Sequence, residues 1–285
     1  MSKRKHAPIT PQVAITPELR DWILGSARSG VDIAGMLHLM RNAGYAEGQA
    51  KRILSKVLDR PGLGMDLSFK GASGARTKHP TPPFVEVDGR QVNVSVAVET
   101  PIIRVLDNLL SDEECDALIE QSRPRMQRAL TLDAEGRQQL DPRRTNNGMF
   151  FNLGETELLE RIEQRIAELV ELPVSHGEGM QILNYQRHQQ YEPHWDWFDP
   201  KQQGFSQVTA HGGQRVASII MYLNTPTRGG GTHFPHVDLT VTARRGSAVY
   251  FAYEGGDKPS LHAGLPVLEG EKWIATKWLR ERPYI

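Results

Sequence analysis

The chain has 285 residues, 39% of them hydrophobic and 24% charged, with 34 basic and 34 acidic side chains. The length fits one large domain with an appendage or two medium ones, and the composition excludes wholesale disorder and collagen-like repeats. Zero formal charge argues against bulk nucleic-acid binding, although residues 1–100 carry a net +5 and residues 101–285 a net −5. The most apolar stretch, Ala217 to Leu223, is interrupted by Ser218 and falls far short of the roughly 20 residues a membrane span needs. Cys115 is the only cysteine, which excludes an intrachain disulfide and a cysteine-built zinc site. The basic start, Met1 to His6, has no apolar stretch after it, which argues against a secretory signal. The expected location is the reducing cytoplasm.

Residues 1–15 read as a polar tail. Thr16 then offers an N-cap and Pro17 a first helical residue, followed by Trp22, Ile23 and Ala27 at helical spacing. Gly30 breaks this run. A second helical stripe follows through Ile33, Met36, Leu37 and Met40, and a third through Ala50, Ile53, Leu54 and Val57. Three short helices make a small module over residues 1–60, either a packing appendage or a partner- or nucleic-acid-binding unit, and the lack of a helix with clustered Arg and Asn favours the appendage or a protein-binding unit. Residues 61–100 read as a linker and a hairpin. Pro80-Thr-Pro-Pro83 marks the linker. Phe84 to Val98 is predicted as a hairpin turning at Asp88-Gly89 between alternating apolar residues.

Residues 101–285 read as one larger unit. Ser111-Asp-Glu-Glu114 has the form of a capping box. A longer helix is predicted from Thr156 to Glu171, with Leu158, Leu159, Ile162, Ile166, Leu169 and Val170 on one face and Pro173 beyond its end. From Gln181 onward the predicted elements are strands: Gln181–Gln186, Tyr191–Trp197, Val216–Leu223, Leu239–Thr242, Ala248–Tyr253 and Lys272–Arg280. Helices first and strands after, without alternation, argue for an α+β chain built on a β-sandwich or jelly roll with flanking helices.

In the predicted strand Tyr191–Trp197, His194 and Asp196 lie two apart and so on one face. A lone His-X-Asp is weak, since 10 histidines and the aspartates of this chain give about half such a pair by chance. His262 lies 66 residues after Asp196, and Lys272 follows ten later. Two imidazoles and a carboxylate make the set that holds Fe(II) with open coordination sites. Those sites suit a bidentate 2-oxo acid and dioxygen, and Lys272 would meet a far carboxylate of such an acid. In the last strand Lys272, Thr276 and Trp278 share parity and would line one pocket. The bland alternative for the triad is a buried hydrogen-bonded cluster. His233 and His236 read as loop residues rather than a second metal site.

Five stretches now carry a resemblance: Arg144-Thr-Asn-Asn-Gly-Met149, Tyr185 to Phe198 (YQRHQQYEPHWDWF), Gly213-Gln-Arg215, Met221-Tyr-Leu-Asn224 and Ser260 to Leu279. The region from about Pro101 to the C-terminus resembles the catalytic domain of prolyl 4-hydroxylases, within the Fe(II)/2-oxoglutarate dioxygenases. The resemblance implies a double-stranded β-helix core. It implies His194, Asp196 and His262 as iron ligands, and Lys272 as the partner of the distal carboxylate of 2-oxoglutarate. Tyr185, Ser218 and Thr276 would serve the co-substrate, while Tyr191, Trp278, Arg144 and Arg215 would line the substrate side. The implied reaction takes Fe(II), 2-oxoglutarate and O2, with ascorbate as a candidate reductant. It yields succinate and hydroxylates a prolyl C4 in a peptide or protein. The chain departs from the family at His188-Gln189, at Gly229-Gly-Gly-Thr232 and in the polar loop Asp199–Gly212, and these leave substrate choice open. Another substrate for the same chemistry, or a binding module without catalysis, are the competing readings.

Overall fold

The computed structural model describes residues 15–28, 31, 33–45, 47–58, 82–132, 136–253 and 258–284. The predicted tail, the Gly30 break and nearly all of the predicted linker lie outside these residues. The chain divides into two compact units, Met1–Gly64 and Met65–Ile285.

The first unit holds three helices, α1 (Pro17–Arg28), α2 (Ile33–Asn42) and α3 (Glu47–Leu58). The Thr16 hydroxyl accepts the Leu19 N–H at 3.2 Å, as an N-cap should. Ile23, Met36, Met40, Ala50, Ile53, Leu54 and Val57 close into a small core of their own. The apolar stripes therefore face inward as predicted, except that Trp22 and Ala27 are exposed.

The second unit opens with β1 (Phe84–Val87) and β2 (Arg90–Glu99). Their turn puts Asp88 at φ 50° and Gly89 at φ 67°, the two left-handed residues a tight hairpin requires. Strand β2 pairs with β3 (Ile102–Asp107), so the predicted hairpin joins the sheet of the larger unit. Then come α4 (Asp112–Ser122), β4 (Gln127–Arg128), β5 (Asn147–Phe150), α5 (Glu157–Val170), β6 (Gln181–Tyr185) and β7 (Tyr191–His194). They are followed by β8 (Arg215–Tyr222), β9 (Thr232–Phe234), β10 (Leu239–Val241), β11 (Ala248–Ala252), β12 (His262–Gly264) and β13 (Lys272–Arg280).

Nine strands form one antiparallel sheet in the order β1-β2-β3-β11-β8-β13-β6-β5-β4, and four form another, β10-β9-β12-β7. Between them lies a core of Tyr185, Ile220, Tyr222 and Ile274 from the large sheet with Phe234 and Val241 from the small one. This is the two-sheet packing expected of a double-stranded β-helix. On the other face of the large sheet lie the two helices. In α4 the capping box forms as predicted: the Ser111 hydroxyl accepts from Glu114 N–H, and the Glu114 carboxylate accepts from Ser111 N–H. In α5 the predicted apolar face, Leu159, Ile162, Ile166, Leu169 and Val170, packs with Trp273, Ala275 and Leu279 of β13. Also on this side, Lys277 of β13 donates to Glu163 of α5 at 2.6 Å, with both side chains almost wholly buried. Among the described residues no helix is long and apolar enough to cross a membrane.

Candidate active site

Pairing of β7 with β12 sets His194 directly opposite His262. Strand β7 ends there, three residues short of its predicted limit at Trp197. Asp196 thus does not join His194 through strand alternation. The chain bends after His194, leaving Trp195 exposed and carrying the Asp196 carboxylate inward. One carboxylate oxygen, Oδ1, lies 3.7 Å from His194 Nε2, and the other, Oδ2, lies 3.7 Å from His262 Nε2. The three ligand atoms fall within 4.8 Å of one another.

The tautomers suit metal binding. His194 Nδ1 lies 2.8 Å from the Glu192 carbonyl, and His262 Nδ1 lies 3.1 Å from the Ser260 carbonyl. A carbonyl only accepts, so each Nδ1 carries the proton and each Nε2 lone pair faces the shared point. Burial, and then the neighbouring His262, holds the His194 imidazole well below its ordinary range. Burial alone would raise the Asp196 carboxyl, but His262, His194 and Arg215 together lower it, so it stays ionised. Two imidazoles and one carboxylate fit a divalent iron.

Beside the triad stands Lys272, at the start of β13 and opposite Tyr185 in register. It is 1% exposed. Its Nζ lies 4.4 Å from the Tyr185 ring centroid, and among the described residues no carboxylate pairs with it. Burial pushes its pKa down to about 7. Gly264 of β12 leaves room here: a Cβ on it would lie 3.6 Å from Lys272 Nζ and 3.7 Å from Tyr185 Oη. An ammonium held without an anion next to three metal ligands fits a co-substrate carboxylate.

Thr276 shares the Lys272 face of β13 and is buried opposite Ile220. Trp278 lies two residues further, opposite Ser218, and its indole N–H has no hydrogen-bond partner. The Arg215 guanidinium covers the Trp278 ring at 4.0 Å. Arg215 is itself engaged. It donates to both oxygens of Glu178, at 2.6 and 2.9 Å, and to the backbone carbonyl of Asp196 at 3.2 Å. Arg144 is buried and donates to Leu130 O, Gln181 Oε1 and Asn146 Oδ1, with Tyr191 4.9 Å beneath it. Tyr191 in turn stacks on His194, with 3.5 Å between ring centroids. Both arginines therefore brace the site wall through protein partners.

Ser218 is placed differently from the co-substrate role that the resemblance implies. Its hydroxyl donates to Asp196 Oδ2 at 2.7 Å and lies 2.5 Å from Tyr253 Oη. Three residues escaped the sequence reading. Glu178 holds Arg215 and Arg280, and nothing in its Gly-rich surroundings marked it. The Thr232 hydroxyl accepts from Tyr222 at 2.8 Å, within the Gly-Gly-Gly-Thr stretch read only as a departure. Tyr253 sits two residues after Phe251, at the end of a strand whose alternation already pointed it inward.

Known proteins agree with this geometry. Residues 180–280 match the model of the 2OG-Fe(II) oxygenase superfamily. The chain is 37% identical over 204 residues to probable prolyl 4-hydroxylase 3 of Arabidopsis thaliana, covering 63% of this chain and 69% of the relative. Prolyl 4-hydroxylase 5 of the same plant is 36% identical over 209 residues, 65% of this chain and 70% of the relative. Among solved structures, a viral collagen prolyl hydroxylase from Paramecium Bursaria Chlorella virus-1, in its 2OG complex, is similar with a TM-score of 0.50 and 28% identity. That similarity covers 62% of this chain and 95% of the viral one. With the ligand triad, the buried lysine and these relatives in view, the chain belongs to the prolyl 4-hydroxylase family of 2-oxoglutarate-dependent Fe(II) dioxygenases.

Proposed function

We propose that this enzyme hydroxylates C4 of prolyl residues in a peptide or protein, coupled to conversion of 2-oxoglutarate to succinate and carbon dioxide. The observation that carries the reading is Lys272, a buried ammonium without an anionic partner beside a 2-His-1-carboxylate set. Fe(II), when held by His194, Asp196 and His262, supplies the activation of dioxygen. The rest is the work of the chain's own groups. Lys272 binds the distal carboxylate, and the Tyr185 ring holds the ammonium from one side. The Nδ1–H groups of both histidines, fixed on backbone carbonyls, keep the Nε2 atoms aimed. The Trp278 indole and the Arg215 guanidinium on its face form one wall. Phe150, half exposed, lies 6.2 Å from Trp278 and extends that wall with an apolar surface suited to a pyrrolidine ring. The prolyl assignment draws further support from the names of the relatives.

The test is incubation with Fe(II), 2-oxoglutarate and oxygen against a panel of proline-containing peptides and their Pro→Ala counterparts. The expected result is a mass gain of one oxygen on proline, with matching succinate. Succinate release no higher than without peptide, and no mass gain on any proline peptide, would overturn the prolyl assignment.

A further inference from the structure

Asp196 lies beyond the end of β7, on a bend. No strand ladder therefore fixes the direction of its carboxylate, unlike the two histidines, which lie on paired strands. Something else must hold it. Arg215 grips its backbone carbonyl. The carboxylate itself is met by Ser218, which is wholly buried on β8 and faces Phe251 of β11 across the ladder. Two residues further along the same face, Tyr253 is anchored by its N–H on the Val216 carbonyl at 2.9 Å and by its ring edge against Phe251. Its oxygen then reaches Ser218 at 2.5 Å.

The order of protons in this chain follows from the groups. An ionised carboxylate only accepts, so the single Ser218 hydroxyl proton goes to Asp196 Oδ2. The Ser218 oxygen is left as an acceptor, and the Tyr253 hydroxyl is the donor to it. Two hydroxyls thus point in one direction, each strengthening the next.

Resting on the metal-site reading above, we infer that Tyr253 and Ser218 are positioning residues, a two-hydroxyl relay that orients the Asp196 carboxylate for the metal. Tyr253 acts through Ser218. Partners of metal ligands of this kind typically govern about 10–100-fold in metal affinity.

The test uses the full chain, with Co(II) titrated by calorimetry in the absence of 2-oxoglutarate and the visible ligand-field spectrum recorded alongside. Tyr253→Phe removes one oxygen and keeps the ring. It is expected to weaken Co(II) binding by about tenfold and shift the spectrum. Ser218→Ala is expected to cost between about 10- and 100-fold, and Ser218→Thr, which keeps the hydroxyl, to restore binding. The double variant should bind no more weakly than Ser218→Ala alone. The relay is refuted if Tyr253→Phe keeps wild-type affinity and spectrum, or if the two losses multiply in the double variant. A wild-type chain that does not bind Co(II) at all would instead bring down the metal site itself, and the relay with it.

Discussion

Lys272 is the group whose behaviour the structure predicts most sharply. Its ordinary pKa of 10.5 is pushed down to about 7 because burial penalises the ammonium and no carboxylate offsets it. In the unliganded enzyme the side chain is then about half protonated at pH 7 and about one-tenth protonated at pH 8. A dicarboxylate needs the protonated form. Its apparent Kd should therefore rise by about fivefold from pH 7 to 8 and by about tenfold from pH 8 to 9, with close to one proton taken up on binding at pH 8. Calorimetry of 2-oxoglutarate into Mn(II)-loaded enzyme, in buffers of different ionisation enthalpy, measures both quantities. The same shift has a stability consequence. With an unfolded value near 10.5 and a folded value near 7, the unfolded chain binds the extra proton between those limits. The penalty is thus fully present below pH 7 and fades as pH rises toward 10.5. Lys272→Met should stabilise the unliganded fold by roughly 5 kcal/mol at pH 6 and by roughly 2 kcal/mol at pH 9. Urea unfolding at the two pH values reads the difference. A Lys272→Met chain less stable than its parent at pH 6, or a 2-oxoglutarate affinity flat from pH 7 to 9, would refute the reasoning.

Three other outcomes are expected. Asp196→Ala should abolish tight Co(II) binding and 2-oxoglutarate turnover while leaving the circular dichroism spectrum intact; turnover at the parent rate would contradict the metal site. Gly264→Ala places a methyl group beside Lys272 Nζ at ordinary contact distance, so it should fold normally yet weaken 2-oxoglutarate binding by roughly tenfold or more. Lys277→Met strands the buried Glu163 carboxylate and should cost about 3–5 kcal/mol in urea unfolding. Lys277→Met combined with Glu163→Leu should recover most of that loss.

The elements legible in the sequence were those with local signals. Ser111 and Glu114 announce α4 because a capping box is a contact three residues long. Asp88-Gly89 announces its turn because the backbone there needs positive φ. The last strand, from Lys272 to Arg280, came out with both bounds right. Strand β3 was missed, although it is buried between β2 and β11, because Ile102–Asp107 is short, carries Arg104 and shows no alternation. The three-residue strand that bears His262 was equally silent, since its pairing with His194 is a contact of distant residues. At the site, residue types and order revealed the triad and Lys272. The reasoning that joined His194 to Asp196 did not hold, since a bend and not a strand brings them together. The resemblance pointed to Ser218, but which acceptor its proton meets depends on Asp196 lying past a strand end, and no local pattern records that.

Strand β13 is buried along its whole length. Lys272, Thr276 and Trp278 face the site, while Trp273, Ala275, Lys277 and Leu279 face the helices, so one nine-residue strand serves as a party wall between two rooms. A redesign of the pocket that leans on this wall disturbs the helix side as well. Attempts to alter what the enzyme accepts belong instead at exposed side chains beside the site, such as Phe150 and Trp195, which can be exchanged without moving the masonry behind them.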